Sequence, residues 1–199
     1  MPKMANGIIV GSHASCAIIH RVLSDGTVEF ANLTKRGRAG RLHVMETQEG
    51  REGPLETLNS GLLTEAAVSA RDFAWKLTSD EPIFFAIGKD MNPRHVGKMH
   101  LKLFYLVSVV GNLRDFDKPD GDDMLTKMEW WEAERLIEHM RRVGTVPSHL
   151  MATELAMLYL RDTNFKVYER YSKLIATITE VGVSEETKAS VRAYLARKS

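Results

Sequence analysis

The stretch Thr64-Glu65-Ala66-Ala67-Val68-Ser69-Ala70-Arg71-Asp72-Phe73-Ala74-Trp75-Lys76-Leu77 decides how this chain is read. Together with Leu63, the residues Ala66, Ala67, Ala70, Phe73, Ala74 and Leu77 recur at spacings of three and four, which puts them on one stripe of a helix. Thr64 stands where an N-cap belongs, and Glu65 suits the positive end of the helix dipole. Asp72 and Lys76 are four apart and pair on the opposite face, worth about 0.3 kcal/mol. The spacing predicts a helix over 65–77.

Strand signals lie on both sides. Ile8-Ile9-Val10 and the run 14–23 carry β-branched residues, Ser24-Asp25-Gly26 makes a turn, and 27–34 alternates loosely. These read as a hairpin. Residues 42–45 suit a further short strand, and 46–61, with four glutamates and three glycines, read as a loop. Downstream, 83–87 and 100–110 are strand-like, the second rich in Leu, Phe, Tyr and Val. The five aspartates of 115–123, with Pro119 and Gly121, belong to a connection; their spacing does not fit an EF-hand loop. Residues 128–131 form a last strand that leads into a helix over 132–142. From Ser148 the chain reads as helices, to Arg161, then from Phe165 to the break at Gly182, then from Ser184. This order predicts an α/β fold, an α/β/α sandwich around a mixed sheet. Residues 1–145 form that domain and 146–199 a C-terminal helical extension packed on it.

Composition sets bounds on function. A chain with 44% hydrophobic and 27% charged residues has the makings of a folded domain, not of a disordered one. Its net charge of +1 supplies no global field to recruit nucleic acid or an anionic membrane, and no RNA-binding signature is present. Cys16 is the sole cysteine, so no disulfide forms within the chain, which suits a reducing compartment. It lies in an apolar run and reads as a buried, inert thiol. The uncharged stretch 4–20 is too short and too polar for a membrane span and lacks the pattern of a signal peptide. The expected location is the cytoplasm. The seven histidines show no metal-ligand spacing, so zinc is not expected.

Several segments together resemble the Nudix hydrolases. Leu33-Thr34-Lys35-Arg36 looks like the family's strand ending in a basic residue. The segment 61–77, with Glu65-Ala66-Ala67 and Arg71-Asp72-Phe73, is similar to its box helix. His100-Leu101-Lys102-Leu103-Phe104-Tyr105 resembles the strand that follows, and Met128-Glu129-Trp130-Trp131-Glu132 the tryptophan-bearing turn into the next helix. The resemblance implies a Nudix-like fold and metal-assisted hydrolysis of a diphosphate linkage, with box glutamates holding Mg²⁺ or Mn²⁺.

The family's box runs G-x5-E-x7-R-E-U-x-E-E-x-G-U, with U a bulky aliphatic residue. Anchored on Arg71, it puts Asp72 at the acid of the Arg-Glu step, Trp75 and Lys76 at the paired glutamates, and Leu63 at the upstream glutamate. Glu65 and Asp72 are two turns apart, about 10 Å along the axis, too far to share one ion. On this count Asp72 and Glu65 are the candidate catalytic acids, and Glu52, Glu56 and Asp72 the candidate metal ligands. Arg36, Arg38, Arg41, Arg71, Lys76 and Lys89 are the candidate phosphate contacts, the basic loops at 35–41 and 88–99 converging on one anion. Trp130 and Trp131 point to opposite faces of their strand, one into the core and the other available to stack on a base or a partner.

Two functional classes remain open. One is a Nudix-like module that binds a nucleotide or nucleoside-diphosphate-type ligand without efficient hydrolysis. The other is a divergent hydrolase of such compounds, dependent on Mg²⁺ or Mn²⁺, with its acids relocated to 46–56 or 120–129. A structural or protein-interaction role is a third reading, with Tyr168, Tyr171 and Tyr194 in a homo-oligomer interface.

Overall fold

Strand β1 (Val10–Val22) is buried on both faces along most of its length. Successive side chains of a strand point to opposite sides, so Cys16 and Ile18 enter one core while Ala17 and Ile19 enter another. The computed structural model describes residues 10–35, 40–49, 51–65, 74–89, 96–110, 125–179 and 185–196. β1 leads through the turn at 23–27 into β2 (Val28–Lys35). The turn is closed as its residues require: Gly26 has φ 85°, and the Asp25 carboxylate accepts the Thr27 N–H at 3.0 Å. The expected hairpin is present.

The sheet is mixed and seven-stranded. β1 runs parallel to β6 (Met99–Val110), with Cys16 opposite Phe104. Beyond β6 lie two antiparallel strands on its outer side, β4 (Ala74–Leu77) against 107–110 and β5 (Phe84–Lys89) against 99–104. The opposite side of β1 is shared. β2 pairs with residues 20–22, and β3 (Val44–Thr47) pairs with residues 14–17. β2 then pairs along its length with β7 (Leu125–Glu132).

Helices cover both faces. Leu58 and Leu62 of α1 (Pro54–Thr64) and Val191 and Tyr194 of α5 (Glu185–Leu195) join the core that holds Ala17 and Ile19. Leu136, Ile137 and Met140 of α2 (Ala133–Val143), Ala156 and Met157 of α3 (Pro147–Thr163), and Val167 and Tyr171 of α4 (Phe165–Ile175) join the other. The result is the expected α/β/α sandwich.

One sequence expectation is corrected. The helix before the long strand is not at 65–77: it runs from Pro54 to Thr64, inside the segment read as a loop, and Thr64 is its last residue, not its cap. Trp75 and Lys76 lie on strand β4; residues 66–73 fall outside the described residues. The glycines misled the reading because they serve packing. A Cβ on Gly61 would come within 2.8 Å of the Glu46 Cβ, so glycine lets α1 lie flat on β3. Pro54 opens the helix at a position that tolerates proline, and the Glu56 carboxylate accepts the Gly53 N–H at 2.8 Å, half of a capping box.

Buried polar groups tie the layers together. His13 lies between α5 and α1, with Nδ1 3.0 Å from the Tyr194 hydroxyl and Nε2 3.3 Å from the Thr57 hydroxyl. His43 Nε2 lies 2.7 Å from Thr153 Oγ1 on α3, and the His43 N–H donates to His149 Nδ1 at 3.1 Å. His20 bonds the Val107 carbonyl at 3.0 Å through Nδ1. Burial pushes His20 and His43 each down to about 4 from the usual imidazole value. A base whose folded pKa is depressed contributes stability that is complete above the unfolded value, about 6.5, and lost as pH falls toward 4. Each histidine should therefore cost about 1.4 kcal/mol per pH unit in that window. Urea-unfolding midpoints at pH 7.5, 6 and 5 check this: they should fall steadily, and less steeply in His20→Gln. A flat profile contradicts it.

Candidate functional site

α1 presents its acids at its ends. At the N-terminal end, Glu56 is engaged by the Gly53 N–H, and the Glu52 carboxylate accepts the Glu49 N–H at 3.2 Å. At the C-terminal end, Glu65 is 7% exposed, and its carboxylate accepts the Met45 N–H on β3 at 2.8 Å. Glu46 accepts the Thr47 N–H at 2.8 Å and lies 3.4 Å from the Thr64 hydroxyl. These acids brace backbone. An eleven-residue helix separates Glu52 from Glu65 by about 16 Å along its axis. Among the described residues, no three His, Cys, Asp or Glu side chains stand close enough to hold a metal ion. Mg²⁺ or Mn²⁺, which the resemblance implies, therefore does not fit the donors the described residues offer. Asp72, Arg71, Arg36 and Arg38 lie outside the described residues.

The basic candidates do not converge. Lys76 is exposed on β4, and Lys89 ends β5, both on the outer side of β6. Arg41 stands at the other end of the sheet, just before Leu42, which bridges to Leu33 of β2. From β5 to β2 is three strand steps, about 14 Å. No single phosphate group spans that distance.

Arg41 belongs instead to a cluster that the sequence reading passed over. Leu42 and Leu33 exchange two backbone hydrogen bonds of 2.9 Å. On the other side, Gly40 (φ 84°) fits against Thr145, whose Cβ and Oγ1 would both lie 2.9 Å from an added Cβ. The Thr145 hydroxyl donates to the Arg41 carbonyl at 2.8 Å. Held at both ends, Arg41 lays its guanidinium 4.3 Å from the centroid of the Trp131 ring and pairs with Glu129 at 2.8 Å. Arg135 approaches the same ring, at 4.0 Å. Such contacts are worth about 0.5–1 kcal/mol each at exposed sites.

α2 supplies the rest. Leu136, Ile137 and Met140 face the core, which turns Arg135, Glu138, His139 and Arg142 outward along i, i+3, i+4 and i+7. His139 packs edge-on to Trp131 at 5.2 Å. Burial and then the charges of Arg142, Arg41 and Arg135 hold its pKa below the usual imidazole value. With Trp131 these residues line a cleft of about 370 Å³. The signal in the sequence was the 135, 139, 142 spacing beside a tryptophan. Arg41's arrival there is a tertiary fact.

No protein-family model and no curated protein sequence matches the chain. Solved structures match in fold. A Listeria monocytogenes protein assigned as a Nudix hydrolase superposes with a TM-score of 0.57 at 11% identity, over 76% of this chain and 96% of that one. C. elegans Ap4A hydrolase, as a binary complex, gives 0.54 at 13% identity over 76% and 98%. E. coli dihydroneopterin triphosphate pyrophosphohydrolase gives 0.50 at 9% identity over 74% and 95%. The fold is Nudix-like.

The clamp on Arg41 is testable with two glycines. Gly40 and Gly144 both have positive φ, but only Gly40 is crowded; nothing lies within 4 Å of an added Cβ at Gly144. Alanine at either should cost about 1 kcal/mol of backbone strain. Gly40→Ala should cost at least about 1 kcal/mol more by overpacking against Thr145. Equal losses in urea unfolding would show that the contact with Thr145 is not tight.

Proposed function

We propose that this protein binds a nucleotide or nucleoside-diphosphate-type ligand and does not hydrolyse it efficiently. The observation that carries the reading is the residue content of α1. With the box's aliphatic position on the buried Leu62, the pattern assigns Ser60 and Gly61 to the Arg-Glu step and Thr64 and Glu65 to the paired glutamates, with Glu52 upstream. Placed on Leu58 instead, it leaves Ser60 and Gly61 at the paired positions. On either count at most one acid remains where a divalent ion needs several. That acid, Glu65, is engaged with the β3 backbone.

The fold neighbours support the ligand class by analogy: an Ap4A hydrolase and a dihydroneopterin triphosphate pyrophosphohydrolase are both named for phosphoanhydride compounds. The competing reading places catalysis on relocated acids. Against it, Glu46, Glu52 and Glu56 already accept hydrogen bonds from backbone N–H groups. A membrane role is disfavoured in one respect: no helix among the described residues is long and apolar enough to cross a bilayer.

The test is a joint screen of Ap4A, ADP and ATP with Mg²⁺ and Mn²⁺, reading thermal shift and monophosphate or phosphate release from the same samples. The expected outcome is a ligand-dependent rise in Tm with product release at the no-enzyme level. Metal-dependent turnover that disappears in Glu65→Gln, Glu52→Gln or Asp72→Ala would reverse the reading.

A further inference from the structure

We infer that the cleft beside α2 is a phosphate-binding site, in which the guanidinium groups of Arg41, Arg135 and Arg142 receive a diphosphate moiety against the Trp131 ring. The inference deepens the ligand reading above by placing the ligand's anionic part, and it puts that part on α2 instead of α1.

Three observations carry it. First, the charges are not spent. Arg41 is matched by Glu129, but among the described residues no carboxylate comes within ion-pair distance of Arg135 or Arg142. Glu138 on the same wall offsets one charge without pairing. Elsewhere on the surface the arginines of the described segments are paired: Arg141 with Glu154, Arg192 with Glu81, Arg170 with Asp25.

Second, the donors are pre-organised. A guanidinium lying on an indole keeps the N–H groups at its edge free, and fixes them before a ligand arrives. Arg41 and Arg135 are both in that position. The Gly40–Thr145 contact and the Leu33–Leu42 bridge fix the backbone that carries Arg41. Pre-organised, planar donors match the several oxygens of a diphosphate better than a lone acceptor.

Third, the size and the walls fit. A volume near 370 Å³ falls in the range of small-molecule sites. The Trp131 ring is already occupied by two guanidinium groups, so this cleft reads an anion and not a stacked base. His139, whose pKa the arginine charges help to depress, reports the positive potential at the spot where the anion would sit.

Calorimetric titration of the full chain with sodium pyrophosphate, and separately with ADP, tests the site in 50 mM and 200 mM NaCl. Pyrophosphate should bind the wild-type protein, more weakly at the higher salt, and should shift the His139 imidazole resonances in NMR spectra. Arg135→Gln with Arg142→Gln should raise Kd at least tenfold and leave Tm unchanged, because neither side chain has a protein ion partner. Pyrophosphate that fails to bind the wild type, or that binds the double variant equally well, overturns the site. If ADP nevertheless binds wild type and variant alike, the nucleotide reading survives alone. If pyrophosphate binding is lost in the variant and no nucleotide binds either protein, the site stands and the nucleotide reading falls.

Discussion

Two-sided burial of β1 constrains everything built around it. Cys16 and Ile18 serve one core, Ala17 and Ile19 the other, so a slip of one residue against β6 would exchange a pair of side chains between cores of different shape. The parallel register with β6, unbroken from Ser12 to His20, holds that alternation in place. Because helices pack on both faces, the two histidines at 13 and 20, on this strand, must find partners inside the protein, and they do.

The same packing sets where chemistry can reside. α1 lies so close to β3 that Gly61 is required beneath it, and the acids around that contact are drawn into bracing backbone. α2 buries one face and leaves the other outward, beside a tryptophan from β7 and an arginine delivered by the loop before Leu42. The acidic side is therefore occupied with structure, while the basic side carries side chains that structure does not use.

How much of this the sequence announced follows from the range of each signal. The hairpin was legible because Ser24-Asp25-Gly26 specifies its own turn, and β6 because its apolar run permits little else. α2, α3 and α4 showed their periodicity plainly. α1 was missed because its markers, Gly53, Pro54 and Gly61, are also the markers of a loop; what distinguishes them is a partner, Glu46, that only the folded chain supplies. The alanine stripe then drew the helix too far downstream, over a segment whose end, Ala74 to Leu77, pairs with β6 as strand. For the site the limit was the same. Arg41 was singled out for its charge, but its companions at 135, 139 and 142 look like the solvated side of an ordinary helix until Trp131 is seen among them.

β1 gives its free edge to two neighbours in turn, β2 near its end and β3 near its middle, and the sheet forks there. One prong carries α1 and its acids; the other carries β7, α2 and the arginine cleft. Joined beyond β1 by little more than the Leu33–Leu42 bridge among the described strands, the prongs can diverge independently in the course of evolution. Erosion of one inherited function need not disturb the scaffold of another, and a lineage can retire a reaction while keeping a pocket.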